Sequence, residues 1–184
     1  MKKISLLLGC VALTMMTWGC GNDEPDNPGE AKVASATADY YISVTPDVLR
    51  FLEIHIEYMT DNNSTDFAHA DMAGNQTELA LPTVNSNVMP ARFGMKASVT
   101  MVENPTYDGE ANYTLGYVAR GVIRGYDKDG NEVALTGPNE DSTGSKTLKG
   151  EQIIKLLPMY VAEGYVFSRG WFVYPDGQLK PGLI

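Results

Sequence analysis

Apolar and polar residues alternate with a period of two along several short segments of this chain. The clearest segment is 51–59, in which every second residue from Leu52 to Tyr58 is apolar and the residues between them are two glutamates and a histidine. Alternation of this kind is typical of a β-strand with one buried face and one solvated face. Similar strand segments, separated by turn residues, lie at 39–45, 76–82, 91–102, 112–126, 132–136 and 164–174. Short strands joined by turns predict an all-β fold, an antiparallel β-sandwich of the immunoglobulin-like or a related type.

The longest strand segment, 112–126, separates two kinds of side chain. Arg120 and Arg124 share one face, and the other face carries five apolar residues: Tyr113, Leu115, Tyr117, Ala119 and Ile123. The two guanidinium groups could meet an anionic ligand. In an acidic chain we expect them to pair with neighbouring carboxylates.

One segment, 150–163, has a mixed apolar pattern in place of alternation. Proline lacks the N–H group that an interior helical residue donates, and its ring crowds the preceding turn. We therefore predict one short helix near 150–158 that ends at Pro158 and covers an open end of the core.

The polar segment 60–75 has no period and is predicted to be a long loop. It contains Asp66, His69 and Asp71. Carboxylates suit hard cations and imidazole suits transition metals. Their spacing fits no established motif, so a metal site and a plain surface loop both remain open.

Aromatic residues in the strand segments are the candidate ligand-binding residues. Sugars stack on exposed aromatic rings, which points to Tyr40, Tyr41, Trp171 and Tyr174 as a binding platform. The alternative is that these rings fill the core. Trp171 and its neighbour Phe172 must point to opposite faces of their strand.

The residues with catalytic potential are few. The chain has two histidines, and it contains neither a G-x-S-x-G nor an H-E-x-x-H motif. We therefore expect a protein that is not an enzyme and that needs no cofactor. A weak glycoside hydrolase is the remaining catalytic alternative, because carboxylates are plentiful.

The first twenty residues combine a basic start, an apolar stretch and a cysteine. Lys2 and Lys3 precede the apolar segment 4–16, which is shorter than a membrane-spanning helix, and Gly19 comes directly before Cys20. This pattern resembles the signal peptide and lipobox of bacterial lipoproteins. The resemblance implies that residues 1–19 are removed and that Cys20 carries a lipid anchor. The domain prediction is then a signal peptide at 1–19, an acidic tether at 20–37 and one β-sandwich domain at 38–184.

Two further short patterns resemble those of exported proteins of the Bacteroidetes type. Asp23, Glu24 and Asp26 follow Cys20 closely and are similar to the export tag of surface lipoproteins. This resemblance implies an outer-membrane protein displayed on the cell surface. Ser142 lies between Asp141 and Thr143, which is similar to the short motif for O-glycosylation in such proteins.

The net charge limits the kinds of partner that this protein can bind, and the cysteine content bears on disulfide formation. The chain has a net charge of −9, and removal of Lys2 and Lys3 leaves 12 basic and 23 acidic residues, a net charge of about −11. Nucleic acid is not expected as a partner, because phosphate binding needs a basic surface. Cys20 is the only cysteine after the signal, so a disulfide is not expected.

Together these patterns predict a non-catalytic, lipid-anchored protein of the cell envelope. It would be anchored in the membrane through the lipid on Cys20 and would bind a glycan or another envelope protein. The alternative is a structural or adhesion subunit that has no small-molecule ligand.

Overall fold

Two antiparallel β-sheets face each other across the hydrophobic core. The structure is a computed structural model that describes residues 32–62, 67–139 and 141–182. Sheet A contains β1 (Ser35–Val44), β4 (Glu78–Ala80), β5 (Val84–Ser86), β7 (Asn112–Tyr126), β8 (Glu132–Val133) and β9 (Ser142–Lys149). Sheet B contains β2 (Leu52–Met59), β3 (Phe67–Met72), β6 (Ala91–Met101), β10 (Tyr165–Val173) and β11 (Leu179–Gly182). The predicted all-β antiparallel sandwich is confirmed.

The strand order shows which strands lie at the centre of each sheet. In sheet A the order is β4-β1-β7-β8, with β5 also paired to β1 and β9 also paired to β7. In sheet B the order is β11-β10-β6-β2-β3. The β1–β7 ladder is continuous from Ser35–Tyr126 to Val44–Tyr117. This long ladder fixes which residues of sheet A face sheet B.

The core is built from the inward-facing residues of both sheets. In β2 the four alternating apolar residues predicted to face inward are all buried. Trp171 and Tyr40 are each 1 % exposed, and their ring centroids are 6.0 Å apart. The N–H of Gly94 in β6 donates to the Tyr40 hydroxyl at 2.9 Å. These contacts join the two sheets at the centre of the sandwich.

The two helices lie in connections between the sheets. Helix α1 (Val48–Phe51) is a single turn before β2, and helix α2 (Gly150–Glu163) connects β9 of sheet A to β10 of sheet B. Helix α2 buries Ile153 and Leu157 in the core and packs on β6, β9 and β10. Its first turn is capped by the Gln152 side chain, which accepts the N–H of Lys149 at 3.0 Å.

The predicted helix exists, but its predicted end at Pro158 is wrong. Pro158 lies inside α2, which continues to Glu163. Proline removes one N–H donor, so one carbonyl of the preceding turn, that of Ile154, loses its helical partner. The burial of Ile153 and Leu157 on the core holds the helix in place despite this loss.

Two other predicted boundaries are wrong. The predicted tether extends to residue 37, but β1 begins at Ser35 and Val33 is fully buried. The predicted loop at 60–75 contains β3, in which Ala68 and Ala70 pack against the core. Alanine buries little apolar area, so alternation based on alanine is hard to see in the sequence.

The described residues belong to one compact unit. Within them, no helix is both long and apolar enough to span a lipid bilayer.

Candidate functional site

A cavity of about 250 Å³ lies between the sheets at one end of the sandwich. At this end β1 finishes and β2 and β7 begin. Its walls are almost entirely apolar, with Ile42, Val44 and Leu115 from sheet A and Leu52, Ile54 and Val99 from sheet B. An apolar cavity that is open at one side can accept an apolar group from solution.

An aromatic pair forms one wall of the cavity. The rings of Tyr117 in β7 and Phe167 in β10 are stacked, with centroids 5.9 Å apart and planes 12° apart. Tyr117 lies directly against Gly144 of β9, where an added Cβ would be 2.6 Å from the ring. Gly144 therefore allows the ring to lie flat beside the strand and to bridge the two sheets.

Helix α2 closes the side of the cavity. Leu157 lines it from inside and is 1 % exposed. Tyr160 also lines the cavity but is 48 % exposed, and its neighbour Met159 is 62 % exposed. The second half of α2 thus presents apolar side chains to solvent beside the opening.

One lysine lines this largely apolar cavity. Lys146 pairs in register with Leu115, and Gly144 and Leu148 alternate with it on the same face of β9. Among the described residues that line the cavity, Lys146 alone carries a charge.

A second, more open groove of about 530 Å³ lies on the outer face of sheet A at the same end. Its polar lining consists of hydroxyl side chains and one carboxylate: Ser43, Thr45, Thr77, Thr143, Ser145 and Glu78. Loss of hydration and a hydrogen bond with Glu78 raise the pKa of the Tyr41 hydroxyl. Tyr41 is therefore at the border of this groove.

The four aromatic residues predicted as a platform do not come together. Trp171 and Tyr40 are core residues, so the prediction that they bind a ligand on the surface is wrong. Burial raises the pKa of the Tyr40 hydroxyl. Tyr41 faces outward from sheet A, whereas Tyr174 follows β10 of sheet B and lies under the Lys180 ammonium, 4.8 Å from the ring centroid. Both of these residues are partly exposed.

The residues of the predicted metal site have separate partners. Asp71 lies 2.8 Å from His55 Nδ1, and His69 lies 3.8 Å from a Glu57 carboxylate oxygen. Asp66 lies outside the described residues. In the described ranges no three His, Cys, Asp or Glu side chains are grouped so that they could hold a metal ion.

A hydrogen-bonded row crosses the outer face of sheet B from β3 to β6. His55 Nδ1 is 2.8 Å from Asp71 Oδ1, and His55 Nε2 is 2.8 Å from Thr100 Oγ1. A carboxylate, an imidazole and a hydroxyl in this order can activate a nucleophile. This row lies on an open sheet face, away from both cavities. We interpret it as a cross-strand network that ties the edge strand β3 to its neighbours.

The two arginines of β7 pair with carboxylates, as predicted from the sequence. Arg120 binds Asp141 through two nitrogens, with a shortest distance of 2.6 Å, and Arg124 binds Asp39 at 2.5 Å. The hydrogen bond from Arg120 holds the pKa of Asp141 below its usual range. The pKa of Asp39 is also lowered, mostly by the hydrogen bond with the Thr83 hydroxyl and then by the one with Arg124.

Two predicted modification sites, Ser142 and Cys20, remain. Ser142 is the first residue of β9 and is partly exposed. Its glycosylation stays a prediction. Cys20 lies outside the described residues. Comparisons of the chain with protein families, with curated proteins and with solved structures found no match.

Proposed function

We propose that this chain is a non-catalytic binding protein that holds a small apolar ligand in the cavity between its sheets. The observation that carries the proposal is the open, apolar cavity of about 250 Å³. Protein interiors are close-packed and contain few voids larger than a water molecule. A dry engineered cavity of about 150 Å³ already binds benzene. The present cavity can therefore hold a somewhat larger apolar group.

The expected affinity is moderate. Burial of each CH₂ group contributes about 0.8 kcal/mol, and eight such groups contribute roughly 6 kcal/mol before the entropic cost of association. We expect dissociation constants in the micromolar to millimolar range for simple apolar ligands.

A cavity-filling substitution tests the site. Ala97 is 1 % exposed and lines the cavity, so Ala97→Leu should place extra carbon atoms in that space. We expect calorimetric titration to show saturable binding of 1-decanol by the wild type, and Ala97→Leu to bind it at least ten times more weakly. Ala80→Leu, at an exposed position of β4, is the matched control and should bind normally. Equal binding by Ala97→Leu, with circular dichroism showing a folded variant, would rule out this cavity as the site.

The proposal also places the protein in the outer membrane, anchored by a lipid on Cys20 and displayed on the cell surface. The support comes from the signal and lipobox pattern and from the acidic residues Asp23, Glu24 and Asp26. Protease treatment of intact cells tests the location. Digestion of the domain supports surface display, whereas protection in intact cells with digestion after lysis would place it on the periplasmic side.

A glycan is the second candidate ligand, and the outer groove of sheet A favours it. Hydroxyl and carboxylate side chains such as those in the groove can hydrogen-bond to sugar hydroxyls, and Tyr41 borders them. Calorimetric titration with a glycan panel should show binding that Tyr41→Ala abolishes and Tyr174→Ala leaves intact. Binding that depends on Tyr174 and not on Tyr41 would contradict this candidate.

A further inference from the structure

One of the side chains that line the cavity, that of Lys146, carries a positive charge. Lys146 lines the cavity and lies opposite Leu115 in the register of β9 with β7, and it is an exposed residue at the edge of the sheet. Its methylene groups can cover apolar wall while the ammonium group reaches the opening, as long basic side chains commonly do at apolar surfaces.

Among the residues that the structure describes, no carboxylate pairs with the ammonium group of Lys146. The nearby Lys149 pairs with Glu110 at 2.6 Å, and Lys155 of α2 lies 3.8 Å from Glu151. In a chain of net charge −9, Lys146 makes no ion pair with any residue in the described ranges. A positive charge beside an apolar cavity, without a carboxylate partner in the described part of the chain, is complementary to an external anion.

We propose that the ligand is a single-chain amphiphile with an anionic head group, and that Lys146 binds this head group while the chain occupies the cavity. This inference rests on the proposed function of the cavity. An ammonium group is a compact charge with three donors, which suits a carboxylate. A cationic amphiphile would be repelled at the same place, and a neutral one would bind through its chain alone.

The cavity volume limits the apolar part to one slender chain. A benzene ring, with six carbon atoms, fills a cavity of about 150 Å³, so the present cavity has room for about ten carbon atoms by proportion. A medium-length fatty acid fits this limit, whereas both chains of a phospholipid do not.

A matched set of ten-carbon ligands tests the assignment. Decanoate, 1-decanol and decyltrimethylammonium are titrated below their micelle concentrations into the wild type, Lys146→Met and Lys149→Met, and their binding is measured by calorimetry. We expect the wild type to bind decanoate five to ten times more tightly than decanol, and the cation most weakly. Lys146→Met should lose this preference while its affinity for decanol stays the same. Lys149→Met should behave like the wild type. The preference should also decrease as salt is added, because the contact is charged and lies at the opening.

The possible results separate the two proposals. Equal binding of decanoate and decanol by the wild type, or an unchanged preference in Lys146→Met, would overturn the role of Lys146 and leave the cavity as a site for neutral ligands. Failure of the wild type to bind any of the three ligands would overturn the proposed function itself.

Discussion

At the scale of single residues, glycines let aromatic rings approach the strands of this sandwich closely. Gly121 lies under the ring of Trp171, Gly144 lies under Tyr117, and Gly182 lies under Phe172. At each of these glycines an added Cβ would be less than 3.0 Å from the ring. The glycines thus set the positions of rings that fill the core, line the cavity and cover the outer face of sheet B.

We predict that Gly121→Ala lowers the free energy of unfolding by about 1–3 kcal/mol, because overpacking of a filled core forces side chains and backbone to shift. The Cβ would be 2.6 Å from the Trp171 ring. Urea denaturation measures the change. Gly109→Ala is the control, since its Cβ would meet only Glu151 Cβ at 3.8 Å. An equal change in both variants would show that the ring contact is not the cause.

A second residue-scale prediction concerns Asp39 and acid. The Thr83 hydroxyl, at 2.6 Å, and the Arg124 guanidinium lower the pKa of Asp39 from 3.8. A carboxyl group whose pKa is lower in the folded state stabilises the fold above its unfolded pKa, and this contribution is lost as the pH falls through the folded pKa. Asp39→Asn should therefore be less stable than the wild type at pH 7, and the difference should shrink below about pH 3.8.

Urea denaturation at several pH values measures this difference. Asp129→Asn, at an exposed turn position, serves as the control and should show little change. A destabilisation by Asp39→Asn that stays constant down to the lowest pH would contradict the assignment.

At the scale of elements, strands with large alternating side chains could be predicted and strands built on alanine could not. The predicted strand at 51–59 matches β2, and the predicted strand at 112–126 matches β7. In β3 and at the start of β1 the inward residues include alanines, which give a weak hydrophobic signal.

The cavity could not be predicted from any local pattern. Its walls combine Ile42, Val99 and Leu157, which lie far apart in the sequence and meet only through the packing of the sheets and α2. Lys146 had no distinctive local pattern either, because a lysine in a polar segment normally indicates a solvated surface. The alternation in β9 becomes visible once Gly144 and Leu148 are known to share its face.

Helix α2 provides the element-scale prediction. Pro158 leaves the carbonyl of Ile154 without its helical donor, and an interior proline costs a helix about 3 kcal/mol. Pro158→Ala should raise the free energy of unfolding by about 1–2 kcal/mol, less than the full cost because proline also restricts the unfolded chain. Thermal and urea denaturation measure the gain. Met159→Ala, at an exposed neighbouring position, is the control and should change the free energy of unfolding little. A Pro158→Ala variant that is less stable than the wild type would show that the proline ring itself supports the helix.

At the scale of the whole molecule, the sandwich begins earlier than the predicted tether boundary. Val33 and Ala36 are 0 % and 1 % exposed, and Ser35 to Thr37 pair with the end of β7. A chain that starts at Ala38 should therefore be less stable than one that starts at Lys32, by at least about 2 kcal/mol for the lost burial. Urea denaturation of the two truncated proteins compares them. Equal stability would mean that the first residues of β1 contribute nothing to the fold.

The direction of β1 also bears on how a ligand could reach the protein. The strand starts at Ser35 and ends at Val44, beside the cavity, so roughly 30 Å separates its two ends. A membrane anchor that acts through Lys32 would pull on the end remote from the cavity. The binding end would then be free to sample the surrounding fluid. For the surface-displayed, lipid-anchored protein proposed above, loading would depend on the dissolved concentration of monomeric amphiphile outside the cell, and not on lateral diffusion within the bilayer.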